Sequence, residues 1–161
     1  DPTKPRLYNW YAVMGIHDVA SLTDAALRKA FAPEGWHVPT DVEWTTLENY
    51  LIANGYNYDG TTTKNKIAKA MAATTGWNSS TSLGAIGTDQ SLNNSSGFNA
   101  FPEGHRFRSG SFSSEGDSAF FWSSTGSSID AWYRYLLKDN RDLSWIHGYL
   151  QEGVSVRFVR D

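Results

Sequence analysis

A chain of 161 residues is the size of one domain and is long enough to bury a conventional hydrophobic core. With 40% hydrophobic and 19% charged residues it is too apolar for disorder, and no apolar run approaches the ~18–20 residues of a membrane helix. A formal charge of −3 without any Lys/Arg run argues against nucleic-acid binding, and the absence of cysteine excludes disulfides, thiolate zinc sites, iron–sulfur ligation and Cys nucleophiles.

In chain order, the opening Asp1-Pro2-Thr3-Lys4-Pro5 has no signal-peptide character and reads as a trimmed start or an excised domain. Ser21-Leu22-Thr23-Asp24 resembles a capping box, predicting a helix through Ala25, Ala26, Leu27, Ala30 and Phe31. A stronger helix signal follows Pro39: Thr40 caps, Glu43 reaches back, Trp44, Leu47 and Leu51 recur at helical spacing, and Asn54-Gly55 ends the run. A third, shorter helix is predicted from Asn65 to Ala73, with Ile67, Ala70 and Met71 as its apolar side.

From Thr74 to Ser96 the chain is rich in Ser, Thr, Asn and Gly, which favour turns. This reads as a long ordered loop pinned by Trp77, Leu83, Ile86 and Leu92, and loops of this length are usually functional or disordered. The last third reads as strands: Ala119–Trp122, Ala131–Leu137, and Gly153–Val159 with Val154, Val156 and Phe158 facing inward. Polar loops are predicted at 109–118, 126–130 and 138–152.

Catalytic motifs are missing: the sequence holds no GxGxxG, P-loop, HExxH or GxSxG. His17, His37, His105 and His147 are not spaced as metal ligands on one helix face, and each reads as a structural or surface imidazole. The carboxylates suggest more. Glu115, Asp117, Asp130, Asp139, Asp142 and Glu152 sit on or beside the three predicted loops, and would converge if those loops share one end of a sheet. Hard oxygen ligands of this kind suit Ca2+, which becomes the expected cofactor, although each carboxylate alone reads as a solvated loop residue. Asn57-Tyr58-Asp59-Gly60 lacks the distal Glu of an EF-hand and reads as a turn. Trp145, within the polar loop Leu143–Tyr149, reads either as a residue that stacks on a ligand, with Asp139, Asn140, Arg141, Asp142 and His147 as polar companions, or as a cap on the loop's own small cluster.

Three stretches are more specific: Leu7-Tyr8-Asn9-Trp10-Tyr11-Ala12-Val13, the run from Gly35-Trp36-His37-Val38-Pro39-Thr40 to Leu47, and the closing Ser155-Val156-Arg157-Phe158-Val159-Arg160-Asp161. With Ser96–Pro102, Phe121–Thr125 and Ala131–Arg134, they resemble the Fibrobacter succinogenes major paralogous domain, in order from Leu7 to Asp161. The family's usual region upstream of the Leu7 stretch is not matched, so an edge of the fold is expected to be lacking or replaced.

The resemblance extends to formylglycine-generating enzymes and implies a C-type-lectin-like α+β fold. It also implies a place in secreted or surface proteins of bacteria, often at the ends of large adhesin-like chains. Many members carry Cys where this chain has Ala32 and Phe158; if those cysteines pair, this chain has replaced the staple with apolar residues. The enzymes' chemistry resembles thiol chemistry on paired cysteines with a bound metal, which this chain lacks.

The combined expectation is a single domain over residues 1–161, non-enzymatic, extracellular or cell-surface, and a monomeric unit of a larger chain. It would bind a cell-surface glycan or a peptide or protein ligand through its C-terminal loops, with calcium. The alternatives are a structural packing module, or a formylglycine-generating-like enzyme that has lost its cysteines.

Overall fold

The computed structural model describes residues 6–161; the opening Asp1–Pro5 stretch lies outside the described residues. The architecture is α+β. Short helices α1 (Trp10–Val13) and α2 (Val19–Thr23) lead into strand β1 (Trp36–His37), the long helix α3 (Asp41–Ala53) and α4 (Ala68–Met71). Strands β2 (Glu103–Arg106), β3 (Phe112–Glu115), β4 (Ser118–Gly126), β5 (Asp130–Leu137) and β6 (Ser144–Tyr149) form one sheet, and β7 (Val159–Arg160) returns to β1. The five-stranded order is β3-β2-β4-β5-β6, antiparallel except for β2 beside β4.

Helix α3 forms as its caps dictate. The Thr40 hydroxyl accepts from the Glu43 backbone N–H (3.2 Å), and the Glu43 carboxylate accepts from the Thr40 N–H (2.8 Å), satisfying two orphan donors. Asn54 closes the helix and Gly55 follows with φ +78°, the left-handed geometry that glycine tolerates best. Trp44, Leu47 and Leu51, three and four residues apart, present one apolar face to the sheet.

Strand β4 is buried on both sides, which explains its unbroken run Ala119-Phe120-Phe121-Trp122. Ala119 and Phe121 join α3, α4, Trp77 and Ile86 in one cluster. Phe120 and Trp122 face the other way, joining Trp10, Val13, Val38, Ala131 and Val154. Period-two alternation thus makes one strand the floor of two cores. Arg134 on β5 is buried on the α3 side; its guanidinium donates to the Asp41 carboxylate (2.5 Å) and the Thr45 hydroxyl (3.1 Å), tying β5 to the first turns of α3.

Several predicted elements are corrected. The first capping box lies one turn earlier: Asp18 accepts from Ser21 N–H (2.8 Å) and caps α2. Asp24 is extended there, and its side chain starts a new 3-10 turn at Ala25–Leu27, so Ala30 and Phe31 are not helical. The third helix shrinks to Ala68–Met71, because the Asn65 amide bonds both to the Leu143 N–H (3.0 Å) and to its C=O (2.8 Å).

In the 74–96 loop, Trp77 and Ile86 are buried pins, whereas Leu83 and Leu92 are exposed. The Gly153–Val159 stretch is no continuous strand. Gly153, Val154 and Ser155 bridge in turn to Arg106, Tyr8 and Phe121, so no single ladder can form, and Phe158 stands on the surface. Phe31 and Phe158 rings lie 5.7 Å apart, so the segments holding Ala32 and Phe158 run side by side and meet through aromatic packing.

Candidate functional site

Trp145 stands on β6, not on a loop. Its segment Ser144–Tyr149 looks polar, but it is a strand whose alternate residues Trp145, His147 and Tyr149 share one face. β6 pairs with β5 in the register Arg134↔Trp145, Trp132↔His147 and Asp130↔Tyr149, so Trp132 and Asp130 join that face. Trp145 is 55% exposed and its ring meets that of Trp132 edge-on at 5.5 Å. The His147 ring lies against Trp132 with centroids 3.4 Å apart, and its Nδ1 is 3.4 Å from the Asp130 carboxylate. At the far end, the Arg108 guanidinium sits over the Tyr149 ring at 4.3 Å.

The platform is held from beneath. Gly148 has no side chain because Tyr133 passes under it: a Cβ there would fall 2.2 Å from Tyr133 Cε1 and 2.7 Å from Glu152 Oε2. Burial, aided by the nearby Glu152 and Tyr135, pushes the Tyr133 phenol up to about 12. Burial likewise raises the Glu152 carboxyl above its ordinary range, while a backbone hydrogen bond and Arg108 pull it the other way. An exposed tryptophan backed by a half-buried one and ringed by a carboxylate, an imidazole, a phenol and a guanidinium can stack a flat apolar surface and hydrogen-bond to its rim.

The carboxylates do not converge as the sequence suggested. Successive antiparallel hairpins turn at opposite ends of a sheet. Glu115, Asp117, Asp139 and Asp142 therefore lie near the start of β4 and the end of β5, while Asp130 and Glu152 lie at the other end. The eight-residue β5 keeps the two groups on the order of 25 Å apart. At the first end the Lys138 ammonium stands 3.6 Å from Asp117 and 3.7 Å from Asp139, already supplying a cation. Asp130 accepts from the Ser127 hydroxyl at 2.6 Å. Among the described residues, no three His, Asp or Glu side chains stand where they could hold one metal ion.

The polar companions divide in the same way. Asp139, Asn140, Arg141 and Asp142 line an open groove with Ser82 and Leu83, at the opposite end of the β5–β6 hairpin from His147. Their backbone is already engaged, since the Arg141 and Asn140 carbonyls accept from Ala68 and Ile86 N–H. Trp132, Tyr149 and Arg108 belong to the exposed face but were missed in the sequence. The alternation of Trp, His and Tyr at 145, 147 and 149 is the signal that would have found the face.

Two other histidines, His105 and His37, are built into the structure, while His17 is exposed. His105 lies between the Phe107 and Phe120 rings, and burial lowers its pKa. His37 bonds through Nδ1 to Asp161 (2.6 Å) and through Nε2 to Glu43 (2.7 Å), both of which raise its pKa. While protonated, His37 donates to a carboxylate from each ring nitrogen, and in that state it has no lone pair for general-base work.

No helix among the described residues is long and apolar enough to cross a membrane. No curated protein and no solved structure matches the chain. The Fibrobacter succinogenes major domain matches residues 2–160, and the chain belongs to that family.

Proposed function

We propose that this domain is a non-enzymatic, adhesin-type binding module that works outside the bacterial cell and recognises a glycan on the β5–β6 face. The observation that carries the reading is Trp145, a large aromatic side chain 55% exposed on a strand and backed by a second tryptophan. Burying such rings is favourable, so leaving them in water at a polar-rimmed patch marks a contact surface. A pyranose ring offers an apolar face for Trp145 and hydroxyls for His147 and Asp130, and Arg108, about 13 Å further along the strand, meets a second sugar unit. The likeness of the family to C-type-lectin-like domains, as read from its motifs, points the same way.

Calcium enters as a variable to be measured, because the carboxylates expected to hold it are divided between the two ends of the sheet. A short-peptide ligand is the second reading. It is favoured by β6 being the last strand of the sheet order, a position where an extended peptide can add as a further strand.

The test is a glycan array and a peptide-display screen, each run with calcium and with EDTA, on the native domain and on Trp145→Ala. Glycan binding that falls about tenfold in Trp145→Ala, the worth of one aromatic stack, is the expected result. Peptide binding without glycan binding moves the assignment to the strand edge. Silence on both makes the domain a packing module of a surface protein.

A further inference from the structure

A second site lies away from the aromatic platform. Between the C-terminal end of α3 and the 74–96 loop is a partly open cavity of about 440 Å³, within the range that holds small ligands. Tyr56, Tyr58, Leu83 and Leu92 are among the residues that line it. Leu83 is 80% and Leu92 66% exposed. Two leucines left in water at one cavity, in a loop that buries Trp77 and Ile86, are an unusual apolar exposure.

The cavity walls are stiff. Gly84 takes φ +75° and lies so close to Tyr58 that a Cβ would fall 2.4 Å from its ring. The Lys69 ammonium bonds to the carbonyls of Ala85 (3.3 Å), Asp89 (3.1 Å) and Thr88, and the Asn93 amide bonds to those of Ala73 (2.9 Å) and Ile86 (3.3 Å). A 3-10 turn at Gln90–Leu92 and the Gln90 amide on the Trp77 carbonyl (2.7 Å) complete the frame. A loop with little regular structure is thereby held in one shape, which lowers the ordering cost of binding.

The polar half sets the ligand class. The cavity's cation, Lys69, is spent on the loop's own carbonyls, so it has little to offer an anion. Its carboxylate, Asp89, already faces the charge of the Lys69 ammonium and accepts from the Ser91 hydroxyl at 2.6 Å, and keeps further lone pairs for a donor. We infer that this cavity is a binding site for a small amine-bearing aromatic, with the ring against the apolar lining of Tyr58 and the two leucines and the ammonium toward Asp89.

Ligand-observed and 15N-detected NMR with three probes tests this: tyramine, neutral p-cresol and anionic 4-hydroxyphenylacetate. Saturable binding of tyramine is expected, with shifts at residues 54–58 and 83–95 and affinity for the acid at least about tenfold weaker. Leu83→Ala with Leu92→Ala should weaken tyramine about fivefold or more, as the rim's apolar contact is lost. Asp89→Asn keeps a residue that accepts positive φ and should erase the preference for the amine over p-cresol. Trp145→Ala should leave tyramine binding unchanged, which keeps this result separate from the glycan reading. The leucine variant changes only exposed side chains; should it unfold, Leu92→Ser alone carries the same comparison. No saturable binding, equal affinity for amine and acid, shifts confined to β5–β6, or indifference to the leucine variant would each overturn the assignment.

Discussion

Trp44 and Trp145 are the same residue type on the same side of the sheet, and they have opposite fates. Trp44, on α3, is 2% exposed, packs beside Phe98 and Phe121, and donates its indole N–H to the Trp122 carbonyl (3.4 Å). Trp145 sits opposite Arg134, which α3 covers, yet remains largely in water. The difference is the cover. Helix α3 packs over β4 and β5, while β6 is the outer strand, so its ring has a neighbour on one side only. The lesson is that an aromatic side chain becomes a core residue or a contact residue according to what the chain lays over it.

The largest test of that comparison is Trp44→Ala, which should cost about 3–5 kcal/mol in urea unfolding, as large core truncations do. A loss under ~1 kcal/mol would remove the contrast. Next is Gly148→Ala, whose methyl would meet the Tyr133 ring. Overpacking there should cost about 1–3 kcal/mol, and a neutral result would mean that the hairpin beneath the platform is soft. Trp145→Ala should be milder still, within about 0.5 kcal/mol. A melting temperature lowered by more than ~4 °C would instead place Trp145 in the core.

The smallest effect concerns the clasp at the chain's other margin. Asp161 and Glu43 raise the His37 pKa, so its contribution is full below the imidazole's ordinary value, about 6.5, and is lost as pH rises through the higher folded value. The Glu43 carboxyl is lowered, first by the Thr40 N–H, so its contribution holds above its ordinary value and is lost as pH falls through the lower folded value. The Asp161 amide, bonded to the Gly35 carbonyl at 3.0 Å, should therefore exchange faster at pH 9 than at pH 6 after correction for intrinsic rates. His37→Gln should abolish that difference, and an unchanged profile would show that β1 and β7 hold together without the clasp.

Legibility followed the range of the interaction. The Thr40–Glu43 box and the Asn54-Gly55 stop are local, and α3 appears where they place it. The aromatic run of β4 was visible because both faces of that strand are buried. Strand β6 was hidden because its partner supplies half of its reason to be extended, and a strand with Ser, His and Gly among its six residues looks like a loop in isolation. Leu83 and Leu92 were misplaced for the converse reason: apolar side chains promise burial, but the loop had already filled its core positions with Trp77 and Ile86.

The sequence by itself determined a cysteine-free α+β domain of this family, its central capped helix, and Trp145 as a residue to watch. Only the tertiary structure decided which residues stand beside Trp145. It turned consecutive hairpins at opposite ends, which parted the acidic loops and brought Trp132, His147 and Asp130 onto one face. Caps and periodicity act over a few residues, whereas strand order and register depend on contacts between distant parts of the chain, and those contacts choose the site's neighbours.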